Sequence, residues 1–133
     1  MPTLIHLMSK VQTDREKMFR DFAPMMFVEP PAQADTDWMV AKNTRIPASI
    51  ASAELFDQIV QYYRPDVSKV SLPSLVTSGG AENKLLPTRA IRFVHENIFG
   101  SQFLPYEDSS HCLFPEEAKR FNQEAGEFVR SLA

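Results

Sequence analysis

The stretch Asp108-Ser109-Ser110-His111-Cys112-Leu113-Phe114-Pro115-Glu116-Glu117 and the segment that follows it decide the reading of this chain. Beyond it, Ala118, Phe121, Ala125, Phe128 and Leu132 recur at intervals of three and four. Lys119, Arg120, Gln123, Glu127 and Arg130 fall between them. That spacing predicts an amphipathic helix with one face packed and one in water. Pro115 has a fixed φ and no N–H to waste, and two glutamates follow it, so the helix is expected to start there. A small polar loop carrying one histidine is thereby presented immediately before a closing helix.

The register just upstream is that of an α/β unit. Ser74-Leu75-Val76-Thr77-Ser78 is short, apolar and β-branched, with Pro73 before it and Gly79-Gly80 after it, and reads as a buried strand. From Thr88 to Phe99, Ala90, Ile91, Val94 and Ile98 follow helical spacing, and Gly100 is placed to end the helix. Gln102-Phe103-Leu104 reads as a second strand. Pro105 lacks a ladder N–H, which favours an edge. Strand, helix and strand in this order predict a βαβ unit with a right-handed crossover.

Residues 1–65 are different, with short helical patterns interrupted by many of the ten prolines. Leu4, Leu7, Met8 and Val11 share a helical face. Thr13 and Glu16 fit a capping box opening a helix from Asp14 to about Phe22 that buries Met18, Phe19 and Phe22. Residues 29–35 read as a loop, and Asp35, Thr36 or Asp37 can cap a helix containing Trp38, Met39 and Val40. Ser52 can cap a helix that Pro65 stops, with Leu55, Phe56, Ile59, Val60 and Tyr63 on its apolar side.

Composition narrows the function classes. At 133 residues the chain is one domain or part of one, and 44% hydrophobic residues is ordinary for a globular chain. A net charge of −3, with basic residues dispersed among acids, predicts no nucleic-acid partner and no anionic-membrane partner. No apolar run has membrane-spanning length, and the start of the chain lacks a signal-peptide pattern. The single cysteine, Cys112, is compatible with a reducing compartment, and a cytoplasmic location is the expectation. His6, His95 and His111 are far apart and form no metal-ligand pattern with Cys112, so no metal is expected.

Several pieces align with one family. Asp66 to Val76, ending in Leu72-Pro73-Ser74-Leu75-Val76, resembles the approach to the penultimate strand of α/β-hydrolases. Gly80 to Pro87, ending in Leu85-Leu86-Pro87, resembles their acid loop, and residues 108–132 resemble their histidine loop and closing helix. Small-ester hydrolases and cofactor-free haloperoxidase-like members are the nearest in flavour. The resemblance implies a partial α/β fold, with a helical lid over 1–65 and a C-terminal core portion over 66–133. It also implies that His111 is the catalytic base. Counting back from Pro87 places the family's acid on Asn83, with Glu82 adjacent. Asparagine can orient an imidazole but cannot stabilise the imidazolium as a carboxylate does. Such an enzyme needs a nucleophilic serine in G-x-S-x-G, ahead of acid and histidine in chain order. None of the serines here sits in that motif.

The expected chemistry is therefore that of a hydrolase that needs no cofactor and supplies the base for cleavage of a small apolar ester-like substrate. It would require the missing N-terminal half or a self-association partner for activity. Met18, Phe22, Met26 and Trp38 are candidate substrate-binding residues, since thioethers and rings suit an adaptable apolar pocket. The same residues equally suit ordinary packing between short helices. Two strands form a marginal sheet, and β-edges and apolar faces left open predict association. The alternative is a non-catalytic interaction protein that keeps the hydrolase-like tail. A minor reading makes Cys112 a nucleophile with His111 as its base, although adjacent residues usually point apart. Gly79-Gly80 lacks the remainder of a phosphate-binding loop and reads as a tight turn.

Overall fold

A computed structural model of the chain describes residues 4–80 and 86–132. Seven helices and two strands occur among them: α1 Leu4–Thr13, α2 Arg15–Phe22, α3 Gln33–Asn43, α4 Ala48–Val60, β1 Leu75–Gly79, α5 Thr88–Asn97, β2 Gln102–Tyr106, α6 Leu113–Glu116 and α7 Ala118–Arg130. Short 3₁₀ segments cover Ala23–Met26 and Arg64–Lys69. The chain divides into two compact units. One comprises residues up to Pro24 together with Pro30–Tyr62, and the other Met25–Glu29 together with the chain from Tyr63.

In the first unit α1 packs on α4 and α2 on α3. Val11, Ala23 and Val40 are its buried apolar residues among those described. Arg20 joins α2 to α3, donating to Glu16 at 3.0 Å and to Asp37 at 2.5 Å. The hydrogen bond from Arg20, followed by one from Gln33, holds the Asp37 carboxyl below the usual carboxylate range.

Several caps differ from those the sequence suggests. Thr13 ends α1, and its hydroxyl donates to the Ser9 carbonyl at 2.9 Å instead of forming a capping box with Glu16. Because α1 runs unbroken to Thr13, the carbonyl one turn back is the nearest acceptor. The loop predicted over 29–35 ends early, since α3 begins at Gln33, and Asp35, Thr36 and Asp37 lie inside it. Ser52 lies within α4, buried and accepting a hydrogen bond from Gln12 at 3.4 Å, while Pro47 occupies the N-cap. α4 also stops at Val60, short of the stop that Pro65 imposes. Phe22, which helical spacing places on the packed face of α2, is 37% exposed.

The second unit is built on the βαβ core. β1 and β2 pair in parallel with Leu75 opposite Gln102 and Gly79 opposite Tyr106, and α5 packs on both strands. Among the described residues these strands form a two-stranded sheet. β1 is shifted by one residue from the expected strand, and β2 continues through Pro105 to Tyr106. Pro105 pairs opposite Ser78. Gly100, at φ 72°, makes the left-handed exit from α5 that favours glycine. Its neighbour Ser101 donates to the His95 carbonyl at 3.0 Å, which commits the hydroxyl proton. The 2.8 Å contact between the same oxygen and His95 Nδ1 therefore places a proton on Nδ1. His95 also stacks on Phe103 with centroids 5.2 Å apart, and it serves the α5–β2 junction.

The closing helix is interrupted. Pro115 falls inside the four-residue α6. Glu117, with φ −119° and ψ 46°, breaks the run, and α7 starts after it. α7 is fastened to the strand end by polar bonds. Tyr106, fully buried, donates from Oη to Glu124 Oε2 at 2.6 Å, and the Arg120 guanidinium lies 4.3 Å from the Tyr106 ring centre. Arg120 also donates to Glu124 at 3.1 Å and to the Pro105 carbonyl at 2.9 Å. Burial, reinforced by the Glu124 hydrogen bond, pushes the Tyr106 phenol up to about 12. The hydrogen bond from Tyr106, with help from Arg120, holds the Glu124 carboxyl low.

These shifts set a pH window. The preference for neutral Tyr106 stabilises the fold below the free phenol value of about 10 and is lost as pH rises towards 12. The preference for ionised Glu124 stabilises it above about pH 4.3 and is lost as pH falls through the lowered value. Tyr106→Phe is expected to cost about 1–3 kcal/mol at neutral pH, the usual loss of a buried hydrogen bond to a charged acceptor. It should also flatten both flanks of the stability–pH curve, as urea titrations between pH 3 and 11 would read.

Candidate functional site

The loop after β2 is held residue by residue. The Ser109 N–H donates to the Tyr106 carbonyl at 3.2 Å, and its hydroxyl donates to Glu117 Oε1 at 2.6 Å. The Ser110 N–H donates to Glu116 Oε2 at 2.8 Å. The Cys112 N–H donates to the Met26 carbonyl at 2.9 Å. Ser109, Ser110 and Cys112 are all buried. His111 is half-buried between two anchored residues, and among the described residues no group hydrogen-bonds its imidazole.

Gly79 at the end of β1 is what lets this loop lie against the sheet. A Cβ built there would stand 1.7 Å from the Ser110 carbonyl oxygen and 2.5 Å from its carbon. The glycine pair does more than make a turn. Gly79 is the last residue of β1, and the absence of a side chain allows backbone to meet backbone. The Gly80 N–H continues the ladder to the Tyr106 carbonyl at 2.8 Å.

The two glutamates after Pro115 fold back on the loop in addition to lying near a helix start. Glu116 Oε1 accepts from the Val28 N–H at 2.7 Å, while its other oxygen holds Ser110. Glu117 Oε2 is bridged to Arg120 at 3.1 Å, while Oε1 takes the Ser109 hydroxyl. Helical spacing alone does not mark these roles. The available signal was two acids directly after a loop of small residues that must be buried.

The remaining sequence candidates fall in both units or outside the described residues. Glu82 and Asn83 lie outside the described residues. Met18 is half-buried in α2, and Phe22 ends that helix. Trp38 on α3 is 62% exposed, with the Lys42 ammonium 5.6 Å from its ring centre. Met26 is half-buried in the second unit, whereas Met18, Phe22 and Trp38 belong to the first. Cys112 is 4% exposed, and burial, reinforced by the Glu116 charge, raises its thiol above the ordinary value. A neutral buried thiol is a small hydrophobe and not a nucleophile. Among the described residues no cluster of His, Cys, Asp and Glu is arranged to hold a metal, and no helix is long and apolar enough to cross a membrane.

The architecture has counterparts among solved structures. An esterase from Exiguobacterium antarcticum superposes with a TM-score of 0.88 at 20% identity, over 96% of this chain and 47% of the esterase. A bromoperoxidase from Bacillus anthracis gives 0.83 at 18%, over 96% and 48%. A membrane phospholipase A described as a bacterial virulence factor gives 0.67 at 19%, over 90% and 39%. All three have the α/β-hydrolase fold, and this chain has part of that fold. It spans about half the length of the first two structures it matches. No protein-family model matches the sequence. No curated protein matches it either.

Proposed function

We propose that this chain is the histidine-bearing part of an α/β-hydrolase that cleaves a small, mostly apolar ester-like substrate. His111 acts as the base, and a segment carrying G-x-S-x-G supplies the serine. The observation that carries this reading is the histidine loop. Its backbone is anchored on both sides of His111, while the imidazole has no hydrogen-bond partner among the described residues. A half-buried ring on a fixed backbone suits a group that must meet a nucleophile and a leaving group in turn.

In the complete site His111 accepts the serine proton as the oxygen attacks the ester carbonyl, then donates it to the departing alkoxide. Water next attacks the acyl-enzyme. His111 takes the water proton and returns it to serine as the acid product leaves. Glu82 or Asn83 orients the imidazole. Only Glu82 would also stabilise the imidazolium by charge. Met26, which belongs to the same unit as His111, contributes an apolar contact to the substrate. Hydrolysis by this route needs no cofactor.

Exposed apolar groups support a need for a partner. Leu72 is 74% exposed, Phe99 is fully exposed, and β1 and β2 pair only with each other among the described residues. The same groups favour a second reading, in which the chain is a non-catalytic interaction protein that keeps a hydrolase-like tail. A chromogenic short-chain ester separates the two. The 133-residue chain alone should give no turnover, and a chain joining it to a G-x-S-x-G-bearing half should give turnover. Turnover by the chain alone that disappears in His111→Ala would overturn the claim that a second half is needed. An inert joined chain would favour the interaction reading.

A further inference from the structure

We propose that Glu116 is a positioning residue for His111, whose carboxylate locks the histidine loop to the Met25–Glu29 segment. The inference rests on the reading of His111 as the base. One oxygen of Glu116 accepts the Val28 N–H at 2.7 Å and the other the Ser110 N–H at 2.8 Å. Ser110 is 2% exposed, so this N–H has no solvent to fall back on and requires a protein acceptor. Two residues further on, the Cys112 N–H reaches the Met26 carbonyl at 2.9 Å. The backbone on each side of His111 is thus tied to the same short segment, once through the carboxylate and once directly.

A carboxylate is suited to this task. Its two oxygens accept from two N–H donors at once, and charge-assisted bonds are roughly twice as strong as neutral ones. A glutamine in the same place keeps one acceptor and turns an NH₂ towards the other donor. Base catalysis is sensitive to such a change, because a misplacement of about 1 Å can cost about 100-fold in rate. Glu116 touches no reacting atom in this scheme. It fixes where the imidazole begins.

Glu116→Gln in the 133-residue chain tests the clamp by amide hydrogen exchange at neutral pH. The Ser110 and Val28 amides should exchange roughly 10–100-fold faster, as expected for loss of a bond to a charged acceptor. Ser78 and Leu104, whose N–H groups lie in the β1–β2 ladder, should be unchanged. Equal acceleration at all four amides, or no change at Ser110, would overturn the clamp. Should the variant fail to fold, the unmodified chain still decides the matter: Ser110 and Val28 must exchange more slowly than the exposed Glu107 and Asp108, and parity would overturn it.

In the joined, active chain, Glu116→Gln should lower kcat about 10–100-fold with KM within about twofold, because a displaced base weakens the chemical step more than binding. An unchanged kcat would refute positioning. Absence of turnover in the unsubstituted joined chain counts against the hydrolase reading alone. The exchange measurement does not depend on it.

Discussion

Gly79→Ala is expected to unfold the second unit or tear the histidine loop from the sheet, the largest stability loss of any glycine-to-alanine change in this chain. The new Cβ would stand 1.7 Å from the Ser110 oxygen, 2.5 Å from its carbon and 2.8 Å from the Ser109 oxygen. All three are backbone atoms, so no rotamer change relieves the overlap. The loop cannot shift cheaply either, because Glu117 holds the Ser109 hydroxyl and Glu116 holds the Ser110 N–H. Two buried groups would lose their partners as it moved. A cost of about 4 kcal/mol or more is expected, against about 5–15 kcal/mol for a typical domain. Gly126→Ala is the matched control. It lies within α7, its nearest neighbour is the flexible Arg130 guanidinium at 3.3 Å, and replacing a mid-helix glycine gains up to about 1 kcal/mol. Urea titrations of the two variants make the comparison. A Gly79→Ala midpoint close to that of the unmodified chain would show that the loop does not lie against β1.

His111→Ala is expected to have the largest effect on activity. In a chain joined to a nucleophile-bearing half, ester turnover should fall by roughly 10³–10⁶-fold, the range for removing one member of a cooperating triad. Stability should change by less than about 1 kcal/mol, because the side chain is only partly buried and is unpartnered among the described residues. The combination separates a working base from a structural histidine. His95 provides the contrast, since its ring is hydrogen-bonded to Ser101 and stacked on Phe103. Replacing it should reduce stability and spare turnover measured on the folded fraction. If His111→Ala kept turnover within about tenfold, the base would have to be sought elsewhere.

Much of the core was legible without coordinates. The strand read at 74–78 and found at 75–79, the helix from Thr88, the strand from Gln102 and the closing helix all declare themselves by periodicity and by Pro and Gly punctuation. Their parallel pairing follows from connectivity, since a helical crossover returns the chain in the same direction. The half-length likeness to α/β-hydrolase structures agrees with the absence of G-x-S-x-G from the sequence. The caps were less legible. Thr13 and Ser52 are good capping types, yet both lie within helices in the structure. A hydroxyl that can bond nearby backbone at a helix end can also do so inside a helix, and neighbouring packing chooses between them.

What the sequence by itself determined is therefore the kind and order of elements in the core, because these depend on local spacing and on residues that permit or forbid a backbone conformation. What only the tertiary structure decided is how the histidine loop is held. Gly79 meets Ser110, 31 positions away, and Glu116 reaches back to Val28 across 88. Tyr106 closes on Glu124 over 18. Each of these contacts is strong because burial removes the competing water, and burial is created only when distant segments pack together. A local pattern of residues carries no record of that environment.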